Sequence, residues 1–377
     1  MKLLFLNGSR GEWGYIKPIV DLCRERGVDY EICATNMLML PAYGSLIDEL
    51  RQQEYNVTDE IYMSLEGHNH YTMAKSLSVF MGSFVDVLVR IKPTWIVLAG
   101  DRGEQLMGAV SAAYTYTPIA HIQAGELSGN IDGVSRHAIG KFAHLHFAAN
   151  EDAAERLKKL GEEDFRVHNV GHPALDEIVE GAITPAEEIT KKYSIDVSKP
   201  YFLVVLHPTT EDFELVDDQV QALIDALDAF EQEKVWILSN NDAGSAKLRH
   251  IIKKNRKANV HTFENLTRTD YLGFMKNASC IVGNSSSGIL EAPTFHLPAV
   301  NIGRRQRNRV QGQNVIDTTF AAGEIRSAIE RALSSEFIDR LKDSGNPYGD
   351  GQSAQRILST LENTPVDDKL LVKNLTY

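Results

Sequence analysis

Cysteine is scarce. The 377 residues hold three, Cys23, Cys33 and Cys280, far apart and without a C-x-x-C pair. That excludes a disulfide framework and leaves three reduced core thiols as the expectation. Long apolar runs are missing too: no stretch approaches the roughly 18 apolar residues that span a bilayer. Behind Met1-Lys2 the apolar run is only Leu3 to Leu6, and it closes on Asn7-Gly8 rather than a small-residue cleavage site. A cytoplasmic protein away from membranes is expected. Basic excess is also absent. Lys and Arg number 39 against 51 Asp and Glu, a formal charge of −12. This argues against nonspecific binding to nucleic acid or to an acidic membrane. A single anionic ligand stays open, since an arginine cluster or helix N-termini can hold one phosphate group.

Several motifs are missing as well. The first turn is Gly8-x-x-Gly11-x-x-Gly14 and lacks the close glycine pair of G-x-G-x-x-G. The next strand ends in Thr35-Asn36, where a dinucleotide fold places an acid. A nicotinamide cofactor is therefore not expected. No G-x-x-x-x-G-K-[ST] occurs, which argues against a P-loop enzyme. G-x-S-x-G is absent, so no nucleophile elbow is expected. His144-x-His146 and His68-Asn69-His70 have no third ligand at metal spacing, and no metal is expected.

What is present is alternation. Solid apolar strand candidates run Leu3–Asn7, Tyr30–Thr35, Trp95–Gly100, Ile119–Gln123, Leu145–Ala149 and Arg166–Gly171, with helical patterns between them. Tyr71 to Arg90 is the longest helix and Glu151 to Leu160 a clear short one. Glu180 to Pro200 is polar, carries Pro185 and Pro200, and reads as a linker with some helix. The alternation then restarts with Tyr201–Leu206, Lys234–Ser239, Val260–Phe263, Cys280–Gly283 and Ala299–Ile302. Two doubly wound, parallel-sheet α/β domains follow, over 1–180 and 181–377. Gln352 to Leu361 is expected to form a last helix.

In such sheets ligands bind beyond the carboxyl ends of the strands. Those ends read Asn7-Gly8-Ser9-Arg10, Gly100-Asp101-Arg102, His121 to Glu126, Gly171-His172-Pro173, His207-Pro208, Ser239-Asn240-Asn241 and Gly283 to Gly288. The bias toward Gly, Asp, Arg, Glu, His and Ser is collective. "GNSSSGILEAP", 283–293, follows an apolar strand and opens a helix. Its small residues admit a phosphate, and serine hydroxyls with free helix N–H groups supply donors. Arginines at 10 and 102 and in "NIGRRQRNR", 301–309, offer forked hydrogen bonds to a diphosphate.

The densest segment is 121–147, with Glu126, Asp132, Arg136 and His137 within a dozen residues. Acid–base chemistry needs two titratable groups with separated pKa values. Asp101, Glu126 and Asp132 can supply them, and Arg136 stands four residues after Asp132, in reach of an ion pair on a helix.

These segments resemble the hydrolysing UDP-N-acetylglucosamine 2-epimerases of bacterial sialic-acid and legionaminic-acid synthesis. "GSRGEWG", "GDRGE", "HIQAGELSGNIDGVSRHAIGK", "NVGHPALD", "HPTTE", "SNNDAGS", "GNSSSGILEAP", "NIGRRQRNRV" and "NPYGDGQSAQRI" occur in the family's order across almost the whole chain. The resemblance implies two Rossmann-like domains facing a central cleft (the GT-B type). The sugar and catalytic side would lie in the first domain and the nucleotide side in the second, with the last helix packing back on the first. It implies elimination of UDP to a glycal, water addition, no cofactor, and a homodimer or homotetramer. Asp101 and Asp132 then resemble the acid–base carboxylates, with Arg136 and His137 following. His207, Asn240, Ser285, Ser286, Glu291 and Arg305 resemble nucleotide-side positions, and Ser287 of the same serine turn is a further binding candidate. Arg10 and Gly14 resemble diphosphate contacts; Arg102 is a binding candidate by its place at a strand end. One departure stands out: many members read His-Ile-Glu-Gly-Gly-Glu, whereas this chain reads His121-Ile122-Gln123-Ala124-Gly125-Glu126. Gln123 is no ordinary base, so its role passes to Glu126 or another group. The change can track substrate, with a UDP- or GDP-linked 2,4-diacetamido-trideoxyhexose as the alternative. A glycosyltransferase of the same fold is the competing class.

Overall fold

The computed structural model describes residues 1–41, 46–67, 69–128, 131–239 and 244–377. The chain divides into two compact units. The first contains Met1–Leu127, Ile131–Glu180 and Tyr348–Tyr377; the second is built on Gly181–Pro347.

Unit 1 is a seven-stranded parallel sheet. Its strands are β1 (Lys2–Asn7), β2 (Asp29–Thr35), β3 (Val57–Ile61), β4 (Trp95–Ala99), β5 (Ile119–Ala124), β6 (Leu145–Ala148) and β7 (Val167–Asn169), in the order β3-β2-β1-β4-β5-β6-β7. The apolar runs are continuous because both faces are covered. Leu3 and Phe5 of β1 enter one core with Trp13, Ile16 and Trp95. Leu4 and Leu6, pointing the other way, enter a second core with Phe80, Phe84 and Ile96. The chain winds outward from β1 to β3, then returns to lay β4 against β1. The strand order reverses there, which opens a crevice above the carboxyl ends of β1 and β4.

Helices α1 (Arg10–Arg26), α2 (Leu46–Gln52), α3 (His70–Ile91), α4 (Gly103–Tyr114), α5 (Ile131–Phe142) and α6 (Glu151–Lys159) connect these strands. α3 corrects the expectation of no spanning stretch: by length and composition alone it is apolar enough to cross a bilayer. In the fold its Phe80, Phe84, Val87, Leu88 and Ile91 stripe is buried in the second core.

The chain's last segment belongs to unit 1. Asp176 caps the helix Ser353–Asn363 by accepting the N–H groups of Ser353 and Ala354 at 3.1 and 2.7 Å. Ile357, Leu358 and Leu361 then join the α1 core. Burying each contributes about 1.5–3 kcal/mol. Arg166, fully buried, donates to the carbonyls of Lys369, Leu370 and Val372 at 3.0, 2.7 and 3.1 Å.

Unit 2 is a six-stranded parallel sheet of β8 (Tyr201–Val205), β9 (Glu233–Ile237), β10 (Val260–Phe263), β11 (Cys280–Gly283), β12 (Ala299–Ile302) and β13 (Val315–Thr318), ordered β10-β9-β8-β11-β12-β13. Gly283 ends β11 at φ 141°, where a Cβ would collide with the Val205 backbone of β8. The stretch read as a linker contains the helix Ala186–Tyr193, whose Ile189 is buried in this unit's core.

The sequence reading missed β3 and β13. Both lie at or beside solvent on a sheet edge, and their sequences VTDEI and VIDT are too polar to read as core strands. All three cysteines are buried and free. Burial pushes the Cys23 and Cys280 thiols up to about 12, so they stay protonated.

Candidate active site

The crevice of unit 1 begins at the end of β1. Asn7 is fully buried, and neither atom of its side-chain amide has a partner among the described residues. Ser9 caps α1 by accepting the N–H of Glu12 at 3.2 Å. Arg10 opens the helix, but its guanidinium is held by Glu49 of α2 at 2.6 and 3.2 Å. Gly14 lies inside α1. The N–H of Trp13 already bonds the Ser9 carbonyl, so Gly14 falls beyond the free amides that bind anions.

Beyond β4, Asp101 is partly exposed and pairs with the buried guanidinium of Arg136 on α5. Arg136 also donates to the Glu126 carbonyl at 3.0 Å. The fork is thereby fixed between two strand ends, and Asp101 is oriented with its charge balanced. Asp132 sits half-buried in the first turn of α5, where the helix dipole favours a carboxylate. Arg102 caps α4 from extended backbone, and its Nε donates to Glu104 at 3.1 Å.

β5 carries the oddest backbone. Gln123 has φ 64°, a left-handed conformation for a residue with a full side chain, and the β5–β6 register slips between Ile122 and Ala124. Gln123 is thus the extra residue of a bulge, a device that re-aims a side chain. It is 2 % exposed, and its Nε2 has no partner among the described residues. His121, two positions before Gln123, donates from Nε2 to the Gly100 carbonyl at 2.7 Å. Burial pushes this imidazole down to about 3, so it is neutral and ties β5 to β4. Burial, then Arg136, also lowers His137.

Glu126 is 1 % exposed and accepts from the Asn150 amide and, at 3.2 Å, from the Tyr348 hydroxyl. Both contacts tie the end of β5 to other segments of unit 1. The histidines of His144-x-His146 are held by hydrogen bonds. His144 accepts the Ile119 N–H at 3.0 Å, and His146 meets Glu162 at 3.0 Å. Among the described residues no group of three ligands could hold a metal.

In unit 2, Asn284 fixes the end of β8: its amide exchanges two 2.8 Å bonds with the backbone of His207. Its own carbonyl accepts from Arg305 at 3.2 Å and Gln306 at 3.0 Å. Ser285 and Ser287 share a hydroxyl bond of 2.9 Å, and Ser287 meets the Tyr271 hydroxyl at 2.6 Å. Ser286 precedes a helix of only four residues, Ser287–Leu290, much shorter than the sequence suggests. The donors here are therefore hydroxyls more than a helix end. Glu291 is buried and paired with Arg268. Arg268 and Tyr271 were not singled out in the sequence, because nothing marks the RTDY start of their helix except its cap, Thr267. Asn240 lies outside the described residues, as does His68. A separate cavity of about 1090 Å³ beside β12 and β13 is lined by Arg304 and Arg307 of the basic run 301–309 and by no other arginine or carboxylate nominated from sequence.

Two parallel, doubly wound α/β units with their polar residues gathered at strand ends define the two-Rossmann-unit class. The relatives narrow it. A family model described as UDP-N-acetylglucosamine 2-epimerase matches residues 21–362. The UDP-N,N'-diacetylbacillosamine 2-epimerase (hydrolyzing) of Legionella pneumophila is 31% identical, covering 100% of this chain and 99% of its own. The UDP-N-acetylglucosamine 2-epimerase of Neisseria meningitidis serogroup B is 30% identical over 96% of this chain and 95% of its own. The crystal structure of a Neisseria meningitidis UDP-GlcNAc 2-epimerase bound to UDP-GlcNAc superposes with a TM-score of 0.82 at 19% identity, covering 97% of this chain and 100% of that one. The chain belongs to the UDP-N-acetylglucosamine 2-epimerase family.

Proposed function

We propose that the chain is a hydrolysing 2-epimerase that converts UDP-N-acetylglucosamine to N-acetylmannosamine and UDP. A base takes the C2 proton, the C1–O bond breaks, and its electron pair leaves with UDP. The glycal then gains a proton at C2 on the opposite face while water oxygen adds at C1. Proton transfers and one C–O cleavage carry no net redox change, so no nicotinamide is required.

The observation that carries this reading is the Asp101–Arg136 pair at the carboxyl edge of β4, next to the bulged Gln123. Asp101 and Asp132 are the acid–base pair, and Arg136 orients Asp101. Gln123 supplies an amide to the sugar rather than a base, which leaves the two aspartates to move both protons. Arg102 follows β4 as the cap of α4, and His137 follows Arg136 on α5. In unit 2, Ser285, Ser286 and Ser287 with Arg305 serve the diphosphate. Glu291, held by Arg268, accepts from ribose hydroxyls, and His207 follows β8 on the nucleotide side.

A second reading keeps the chemistry and changes the sugar. The Legionella pneumophila relative is named for UDP-N,N'-diacetylbacillosamine. A Campylobacter jejuni relative, 31% identical, is named for the GDP- or UDP-linked form. Product identification by NMR from UDP- and GDP-linked amino sugars separates the readings. Free 2-epimerised sugar with free nucleotide is expected. A nucleotide-linked product, or nucleotide release only when an acceptor is added, contradicts hydrolysis.

A further inference from the structure

Two carboxylates join the turns on either side of the strand-order reversal. Glu12, in the first turn of α1, accepts the Gly8 N–H at 2.5 Å. Glu104, in the first turn of α4, lies against the same glycine: a Cβ on Gly8 would collide with its Oε1. Both side chains are buried, at 3 % and 2 % exposed.

Their surroundings differ. Glu104 Oε1 accepts from Arg102 at 3.1 Å and from the Asn36 amide at 2.9 Å. Asn36 is itself held in left-handed backbone, φ 51°, and accepts the Ser64 hydroxyl at 3.1 Å. The second oxygen of Glu12 is buried and makes no hydrogen bond among the described residues, the nearby Gln105 amide donating instead to the Leu6 carbonyl at 3.2 Å. Two buried carboxylates at one glycine with a single guanidinium beside them carry one negative charge too many. Burial, and then the charge of Glu104, push the Glu12 carboxyl well up, against Arg102, the Gly8 N–H and Gln105. The nearby Arg10 is occupied by Glu49.

We propose that Glu12 and Glu104 hold one proton between them, on Glu12, and that this pair positions the two turns bearing Arg10, Asp101 and Arg102 for turnover. With that proton the two carboxyls at Gly8 carry one negative charge, which the single guanidinium of Arg102 balances. Glu104 holds Arg102, the neighbour of Asp101. The local sequence gives the clue: Ser9-Arg10-Gly11-Glu12 has the S-x-x-E spacing of a capping box. The structure keeps the serine half, but sends the glutamate to Gly8 instead of to the cap residue's own N–H. The positioning role rests on the proposed function; the location of the proton does not.

Infrared spectroscopy of the full chain tests the proton without substrate. At neutral pH a protonated-carboxyl band is expected in the wild type and is lost in Glu12→Gln. Turnover tests the positioning. Glu12→Ala is expected to lower kcat by roughly 10- to 100-fold, as loss of an outer supporting group does. Glu12→Gln, which keeps an acceptor for the Gly8 N–H and removes the surplus charge, is expected to recover most of that loss. Absence of the band in wild type overturns the proton assignment. A Glu12→Gln enzyme as slow as Glu12→Ala overturns the positioning role.

Discussion

Arg136 on α5 reaches back 35 positions to pair with Asp101 at the end of β4, while another of its nitrogens binds the Glu126 carbonyl at 3.0 Å. The pair places a carboxylate at the rim of the sheet with its countercharge behind it. Asp101→Asn is expected to lower kcat by more than about 100-fold, the share of a positioned acid or base. Asp132→Asn is expected to do the same, with UDP affinity by calorimetry unchanged in both. Near-normal turnover in both variants would remove the carboxylates from the mechanism.

Gln123 is the second test. A left-handed backbone costs a residue with a Cβ about 1 kcal/mol, which glycine avoids. Gln123→Gly is expected to raise unfolding free energy by about 0.5–1 kcal/mol in urea while lowering turnover. A variant that gains stability and keeps full activity would make the bulge a structural feature only.

The anchoring of the C-terminal segment gives a stability prediction. Arg166 satisfies three carbonyls of that segment, Lys369, Leu370 and Val372, from inside the fold. Arg166→Leu leaves them without donors and is expected to cost about 3 kcal/mol in urea unfolding. A loss below about 1 kcal/mol would mean that water or another side chain takes over.

Acid should weaken unit 1 first. Burial pushes His121 down to about 3 and His144 and His146 to about 4. An unfolded histidine binds its proton near 6.5. Their contribution is therefore complete above about pH 6.5 and fades as pH falls toward 4, at about 1.4 kcal/mol per pH unit for each. Trp13 and Trp95 report on unit 1 and Trp236 on unit 2. In Trp236→Phe, the urea midpoint of unit 1 fluorescence is expected to fall from pH 7 to pH 5. A midpoint independent of pH would contradict the buried neutral imidazoles.

Much of this fold is legible in the sequence because apolar strands covered on both faces announce themselves. Leu3–Leu6 and Tyr201–Leu206 carry no alternation to misread. The edge strands Val57–Ile61 and Val315–Thr318 escape notice because solvent takes half of each. The site is legible by residue type and not by partner. Asp132 and Arg136 sit at helical spacing, yet the structure shows Arg136 reaching Asp101, a contact set by sheet order that no local spacing encodes. The same holds for Glu126, whose partners Asn150 and Tyr348 come from distant segments. Glu12 was the reverse case, a local spacing that was present and not used.

The most direct test incubates the enzyme with UDP-N-acetylglucosamine in D2O and follows free UDP and the sugar by NMR. The account predicts UDP together with free N-acetylmannosamine carrying deuterium at C2. UDP release with hydrogen retained at C2 would contradict elimination and re-protonation, and with it the roles given to Asp101 and Asp132.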